Sequence, residues 1–214
     1  LHYYIFDFGN GTLLPLRQLP HTADYFLMDQ MRKIEKFMTI IKQEIARRKQ
    51  LFQQQEVSNI KMYNALSSEE LPLIFITIDN FDLVKEEMQD LEMQFTQLVR
   101  DGQSLGIYMI FTATRVNSIR QSLMNNLKTK VVHYLMDHSE AYSILGRTPY
   151  ALESIPGRAI IKTDQPYFAQ LFLPAEGKDD FEIFDAVKLH IQRLKNQYAD
   201  AILPEPVPML SSKL

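Results

Sequence analysis

The 214-residue sequence contains no cysteine and no tryptophan. Without cysteine the chain can form neither a disulfide framework nor a thiolate metal site. It also has no apolar run near the ~20 residues that a membrane-spanning helix requires. The composition, with 46% hydrophobic and 23% charged residues, is that of an ordinary globular protein. These absences exclude a disulfide-stapled scaffold and a cysteine-ligated zinc module.

The sequence also lacks an excess of basic residues. It has 23 lysines and arginines against 26 acidic residues, which gives a formal net charge of −3. Proteins that bind duplex DNA usually carry a basic stripe, because neutralising phosphates dominates their affinity. The densest basic clusters here are short (residues 47–49, then Lys128 and Lys130) and are typical of solvated faces. The charge pattern therefore disfavours DNA as a partner.

A phosphate-binding loop of the form G-x-x-x-x-G-K-[ST] is missing as well. The glycine-containing segments at residues 9–11 and 102–106 do not supply the required lysine followed by serine or threonine. The chain by itself therefore lacks the lysine and the hydroxyl that usually hold the phosphates and Mg²⁺ of a nucleotide.

What the sequence does have is a regular alternation of apolar runs and helical periodicity. Strands are predicted at residues 2–8, 25–28, 73–79, 107–112 and 130–135. Helices are predicted from Asp29 onwards, at residues 88–99, at residues 119–127 and near the end of the chain. In the first helix, one apolar stripe contains Ile34, Phe37, Met38, Ile41 and Ile45. Alternating strands and helices predict a doubly wound α/β fold with a mostly parallel sheet flanked by helices.

The last third of the chain has a different character. Two short strands, at residues 158–162 and 167–173, flank a turn and predict an antiparallel addition at the edge of the sheet. Prolines at positions 204, 206 and 208 cannot continue a helix and favour extended geometry. We therefore predict one domain over residues 1–200 and a Pro-rich linker or tail over residues 201–214.

Polar residues that could carry chemistry follow two of the predicted strands. Asp79 ends a buried strand, the place where α/β sheets bind ligands and where a Walker B aspartate helps to hold Mg²⁺. The next residue, Asn80, is a neutral amide that cannot accept a proton as a carboxylate can. After the following strand, Thr112, Thr114 and Arg115 could contact a phosphate. On spacing alone, however, Asp79 also fits a turn residue and Arg115 a surface ion-pair partner.

Several short motifs occur in an order that resembles the FtsK/SpoIIIE-type motor ATPases, most closely the EssC/EccC coupling ATPases of type VII secretion. They span residues 3–175 and are Phe6-Asp7-Phe8, Leu19-Pro20-His21, Glu44-Ile45-Ala46-Arg47-Arg48, Met62-Tyr63-Asn64, Ile78-Asp79-Asn80-Phe81, Thr114-Arg115-Val116-Asn117-Ser118-Ile119-Arg120 and Ile155-Pro156-Gly157-Arg158. The segment that starts at Thr114 is similar to "TR-x-x-x-IR" of the secretion branch rather than to "TQRP" of the DNA translocases.

The resemblance implies a RecA-like P-loop-type fold and a longer parent protein with several ATPase domains in tandem, of which this is a later one. It implies ATP and Mg²⁺ for the parent, with Asp79 on the metal and Thr112, Thr114 and Arg115 near the nucleotide. The Walker A segment is expected before Leu1, so we expect no cofactor on this chain alone. Asn80 stands where active domains have the catalytic glutamate.

The resemblance also implies partners for the parent protein. These are its own neighbouring ATPase domains, further copies in a hexamer, and secreted helical-hairpin substrates of the WXG type. The domain would lie on the cytoplasmic side of a bacterial cell membrane, attached only through the parent. With Asn80, we expect a degenerate module with slow or no hydrolysis that serves assembly, regulation or docking. An active motor domain is the alternative, followed by a DNA translocase module.

Overall fold

A computed structural model describes residues 1–209 of the chain. The predicted linker or tail therefore lies partly outside the described residues, from position 210 onwards. Residues 1–209 contain seven strands: β1 His2–Asp7, β2 Thr22–Leu27, β3 Ile74–Asp79, β4 Ile107–Phe111, β5 Lys130–His133, β6 Arg158–Lys162 and β7 Pro166–Gln170. The same described part of the chain contains seven α-helices: α1 Met31–Gln54, α2 Ile60–Leu66, α3 Phe81–Glu87, α4 Gln89–Gly102, α5 Gln121–Met124, α6 His138–Leu145 and α7 Asp180–Gln197. The chain divides into two units, one made of Leu1–Thr112 and the segment from Ile191, the other of Ala113–His190.

The first unit contains a four-stranded parallel sheet in the order β2-β1-β3-β4. The residues of its central strands, β1 and β3, are all buried or half-buried, because both faces of a parallel sheet are covered. The prediction of an α/β fold with a parallel sheet is confirmed. The register aligns β1 and β3 residue by residue, so that Asp7 lies opposite Asp79 where both strands end.

An aromatic cluster forms the centre of this unit. The ring of Phe6 stacks on Phe26 with centroids 4.4 Å apart, and it meets Phe37 and Phe95 edge to face. All four side chains are at most 1% exposed. Such pairs each add about 0.5–1.5 kcal/mol beyond the burial of their apolar area. The cluster fixes α1 and α4 against the sheet that carries the strand ends.

Helix α1 buries the predicted apolar stripe from Ile34 to Ile41. The expectation that the basic cluster at residues 47–49 lies on a solvated face is wrong at Arg48, which is fully buried. Its guanidinium binds Glu44 and the carbonyl oxygens of Leu105 and Pro72, each at 2.7 Å. A charged side chain can be buried there because all three of its nitrogens have oxygen partners.

The second unit contains a three-stranded antiparallel sheet in the order β5-β6-β7. The predicted antiparallel pairing of β6 with β7 is confirmed. The assignment of β5 as a third buried strand of the parallel sheet is wrong, because β5 pairs with β6, with Lys130 opposite Lys162. This sheet is hydrogen-bonded separately and is not an edge addition to the parallel sheet. The two valines of β5 fit a strand of either sheet, and the backbone pairing with β6 decides between the two sheets.

The Pro-rich segment after α7 has no regular secondary structure up to residue 209. It nevertheless contacts β2 of the same unit: Val207 is 7% exposed, and its backbone N–H donates to Oδ2 of Asp24 at 2.9 Å. The predicted boundary between a domain over residues 1–200 and a linker stays a prediction. Among the helices of residues 1–209, none is both long and apolar enough to cross a bilayer.

Candidate functional site

The carboxyl ends of β1 and β3 place two aspartates side by side, Asp7 and Asp79. In open α/β sheets, ligands bind in the crevice beyond this edge of the strands. Asp79 is partly exposed, whereas Asp7 is 3% exposed. The two carboxylates therefore have different surroundings, and only Asp79 faces solvent.

Asp79 is connected to the end of β4 through Thr112. The Thr112 hydroxyl donates to Oδ1 of Asp79 at 2.6 Å and accepts the backbone N–H of Asn80 at 3.0 Å. The backbone of Thr112 also accepts from Phe81 N at 2.8 Å. One threonine thus orients the Asp79 carboxylate and the first turn after β3. The structure brings together these two residues of the predicted site.

Asn80 adopts a left-handed conformation, with φ 58° and ψ 58°, just before α3. Asparagine tolerates this region better than most residues other than glycine. Its side-chain Nδ2 donates to the carbonyl oxygen of Phe8 at 3.1 Å, which joins the end of β3 to the loop after β1. A glutamate at this position could not donate that hydrogen bond, because an ionised carboxylate only accepts. The Asn80 side chain therefore connects the end of β3 to the loop after β1.

Asp7 and Tyr25 are site residues that sequence reasoning missed. The Tyr25 hydroxyl, on β2, donates a short hydrogen bond to Oδ2 of Asp7, while the N–H of Gly9 donates to Oδ1 at 3.1 Å. Burial, reinforced by the hydrogen bond to Asp7, raises the pKa of Tyr25 well above 10.0. Both β1 and β3 end in aspartate, and that common feature could have indicated Asp7 from sequence.

Gly9 lies directly against both carboxylates. A Cβ atom at this position would come 2.6 Å from Oδ2 of Asp79 and 3.6 Å from Oδ1 of Asp7. The missing side chain therefore keeps the space beside the Asp79 carboxylate free. A side chain at position 9 would displace the carboxylate or the loop.

Thr114 and Arg115 belong to the second unit and are both exposed. Arg115 directly precedes a 3₁₀ turn at Val116–Ser118, and its carbonyl oxygen accepts from Ser118 N at 3.2 Å. The assignment of these two residues to the nucleotide stays a prediction, as does that of Asp79 and Thr112.

The side chains at the strand ends fit the metal end of a Mg²⁺-nucleotide site. Asp79 supplies a partly exposed carboxylate, and oxygen ligands are those that Mg²⁺ prefers. Thr112 holds that carboxylate in place, and Gly9 leaves room beside it. The phosphate end does not fit in the same way, because the 214 residues contain no G-x-x-x-x-G-K-[ST] loop.

Comparison with known proteins identifies a family and close relatives. The model of the FtsK/SpoIIIE family matches residues 1–159. The chain is 66% identical to the ESX secretion system protein YukB of Bacillus subtilis (strain 168) and 59% identical to the ESX secretion system protein EccC of Geobacillus thermodenitrificans (strain NG80-2). Each alignment covers all of this chain but 14% of the relative.

A solved structure of EssC (ATPases 2 and 3) from Geobacillus thermodenitrificans is similar over the whole chain. The TM-score is 0.97 at 59% sequence identity, and the match covers 41% of that structure's chain. The chain thus spans about one seventh of the length of the curated relatives, and less than half of the solved two-ATPase structure.

Proposed function

This chain belongs to the FtsK/SpoIIIE family and is homologous along its whole length to type VII secretion proteins, and from that premise we propose that it is a degenerate ATPase-type module. The module serves assembly, regulation or substrate docking within a type VII secretion motor. Its own hydrolysis of ATP is slow or absent.

The main support for this proposal is the residue type and the hydrogen bonding of Asn80. In active P-loop ATPases a residue next to the Walker B aspartate orients the attacking water. Here that neighbour is an amide, and its Nδ2 is engaged with the Phe8 carbonyl oxygen. Loss of a positioned general acid or base commonly costs about 10²–10⁴-fold in rate. The hydrogen bond therefore supports a structural and not a catalytic role for Asn80.

An active motor domain is the second candidate, and the geometry of Asp79 favours it. The carboxylate is oriented by Thr112 and kept accessible by Gly9, as a magnesium ligand requires. In this reading, the phosphate-binding loop would come from residues upstream of Leu1, and Asp79 would hold Mg²⁺. Arg115 and Thr114 would contact the nucleotide.

Calorimetric titration of ATP with Mg²⁺ distinguishes the candidates. We would compare this chain, an upstream-extended form and the Asp79→Ala variant of that form. Binding by the extended form without turnover supports the degenerate module, and so does binding by neither form. Steady-state hydrolysis that Asp79→Ala abolishes would establish the active motor instead.

The variant Asn80→Glu in the extended form tests the role of position 80. If the amide is what limits turnover, the carboxylate raises the rate by up to about 10²-fold over that of the unchanged extended form. An unchanged rate with ATP still bound would show that position 80 is not the limiting group. Asn80→Asp is the matched control, because its carboxylate is one methylene shorter.

The partners follow from the secretion context. We propose that the module contacts neighbouring ATPase domains of the same protein, and that the parent forms a hexamer. It would lie on the cytoplasmic side of a bacterial membrane and take part in moving helical-hairpin WXG-type substrates. The two ATPase domains in the similar EssC structure support the tandem arrangement. A DNA translocase is disfavoured by the net charge of −3, and salt-sensitive duplex binding would be needed to restore it.

A further inference from the structure

A groove in the first unit lies between α1 and the junction of α3 with α4, and it has a volume of about 580 Å³. Its floor is apolar, with Ile34, Met38 and Leu91 each at most 5% exposed. Two further methionines, Met31 and Met88, line it and are more accessible. The volume falls in the range of ligand sites, and methionine adapts its shape to different apolar partners.

The rim of this groove is acidic. Glu35, Glu86, Glu87 and Asp90 line it and are exposed, and its lining contains no lysine, arginine or histidine. Within residues 1–209, none of these four carboxylates forms an ion pair. A lysine at position 42 reaches the lining through Gln94, whose Oε1 it contacts at 2.8 Å.

Two other acids of α1 and α4 form ion pairs with arginines or lysines. Glu44 binds Arg47 and Arg48, and Asp101, in α4, binds Lys49 and Arg100. The four rim carboxylates, in contrast, leave uncompensated negative charge around the apolar floor between α1 and the α3–α4 junction. That combination requires an occupant with positive charge and an apolar anchor.

The chemistry of the groove selects among occupants. Nucleotides, nucleic acids and anionic lipids are repelled by four carboxylates. A metal ion does not fit either, because the described part of the chain has no group of three His, Cys, Asp or Glu residues able to hold one. A helix that buries one apolar side in a groove and shows lysines or arginines to the rim satisfies both requirements.

We infer that this groove docks a basic amphipathic helix of a partner protein, with its apolar side on Met38, Met88 and Leu91 and its basic side on the acidic rim. The inference deepens the docking role proposed above and rests on it. Its test does not involve ATP, so a failure of helix binding and a failure of the ATP titrations are distinguishable.

The test uses a fluorescein-labelled synthetic helix with one leucine face and one lysine face. The Glu35→Lys/Glu87→Lys variant removes rim charge, and the Glu69→Lys/Glu70→Lys variant is its matched control, since it makes the same change in net charge at exposed positions outside the groove. We expect the rim variant to weaken binding by at least about tenfold and the control by less than about twofold.

A second readout locates the bound helix in the unaltered chain. With ¹³C-labelled methionine methyl groups, the resonances of Met31, Met38 and Met88 should shift on titration, and that of exposed Met136 in the second unit should not. Equal weakening by both variants, unmoved groove methyl groups, or no binding by the unaltered chain would each overturn the inference. So would self-association that the rim variant abolishes, because the occupant would then be a second copy.

Discussion

Replacing Arg48 with methionine tests how α1 is held against the sheet. The guanidinium is 0% exposed and makes three hydrogen bonds of 2.7 Å, from Nε to Glu44, from Nη1 to Leu105 O and from Nη2 to Pro72 O. Leu105 and Pro72 precede β4 and β3, so one side chain connects the middle of α1 with the entry to both strands. Methionine fills much of the volume but donates no hydrogen bond.

The expected loss in free energy of unfolding depends on the polar groups that lose their partner. Two carbonyl oxygens lose a charged donor, at about 1–3 kcal/mol for each buried group left unpaired. Glu44 keeps its contacts with Arg47, at 2.7 and 2.9 Å, so the carboxylate is not left alone. Removing one member of a buried charged network typically costs about 3–5 kcal/mol. We therefore expect Arg48→Met to lower the free energy of unfolding by about 3–5 kcal/mol.

The neighbouring arginine is the control. Arg47 binds the same glutamate, but its side chain is 53% exposed, so Arg47→Met should cost no more than about 1 kcal/mol. Arg48→Lys keeps the charge without the planar fork and should lie between the two. Guanidinium chloride unfolding followed by circular dichroism measures all three variants. If Arg48→Met and Arg47→Met cost the same within about 1 kcal/mol, the reasoning from burial is refuted.

Three further predictions concern a buried hydroxyl, an acid and a glycine. Tyr25→Phe removes the donor to buried Asp7 and should cost about 1–3 kcal/mol at neutral pH. Because burial and Asp7 raise the Tyr25 pKa above 10.0, its contribution is present below pH 10 and lost above it, and Tyr25→Phe should lessen that alkaline loss of stability. Burial opposes ionisation of Glu44, but hydrogen bonds from its two arginines outweigh it and lower its pKa below 4.5. Its stabilisation is therefore present above pH 4.5 and lost as pH falls below it, and a Glu44→Gln variant should show a flatter acid limb in urea unfolding. Gly106→Ala places a Cβ 2.3 Å from Cδ1 of Ile60 at a φ of 78° and should cost about 2–4 kcal/mol by thermal unfolding.

Each of these has an outcome that contradicts it. If the free energy of unfolding of Tyr25→Phe falls with alkaline pH as steeply as that of the unchanged chain, ionisation of Tyr25 does not cause the loss of stability. If the free energy of unfolding of Glu44→Gln falls with acid pH as steeply as that of the unchanged chain, protonation of Glu44 does not cause the loss of stability. Gly11→Ala is the control for Gly106→Ala: it has a φ of 76° but no atom within 4 Å of its Cβ, so an equal cost would show that strain alone and not the clash matters.

Local patterns predicted most of the elements that carry the site. The apolar run before Asp79 is β3, and the three- and four-residue spacing from Ile34 to Ile41 is the buried side of α1. Both succeed because burial on a strand or helix face follows directly from side-chain periodicity. The motif order around Asp79 and Asn80 led to the family that the comparisons show.

Three features were beyond local reasoning. Arg48 was expected on a solvated surface. Its two carbonyl partners lie 24 and 57 residues away, and no local sequence pattern indicates them. The short strand β5 was assigned to the wrong sheet, because strand partners are set by long-range pairing. The sequence shows that Asn80 departs from the family pattern. It does not show the hydrogen bond from Asn80 to Phe8, because the two residues are 72 positions apart in the chain.

The sequence by itself determined most of the strands, the long helices, the absence of a phosphate-binding loop, and the position of the amide beside Asp79. These depend on residue type and spacing along the chain. Only the tertiary structure decided that Asp7 lies beside Asp79, that Thr112 and Gly9 shape the surroundings of the Asp79 carboxylate, and that acidic side chains from α1, α3 and α4 line one apolar groove. Those relations depend on strand register and helix packing, which arise from contacts between residues far apart in the chain.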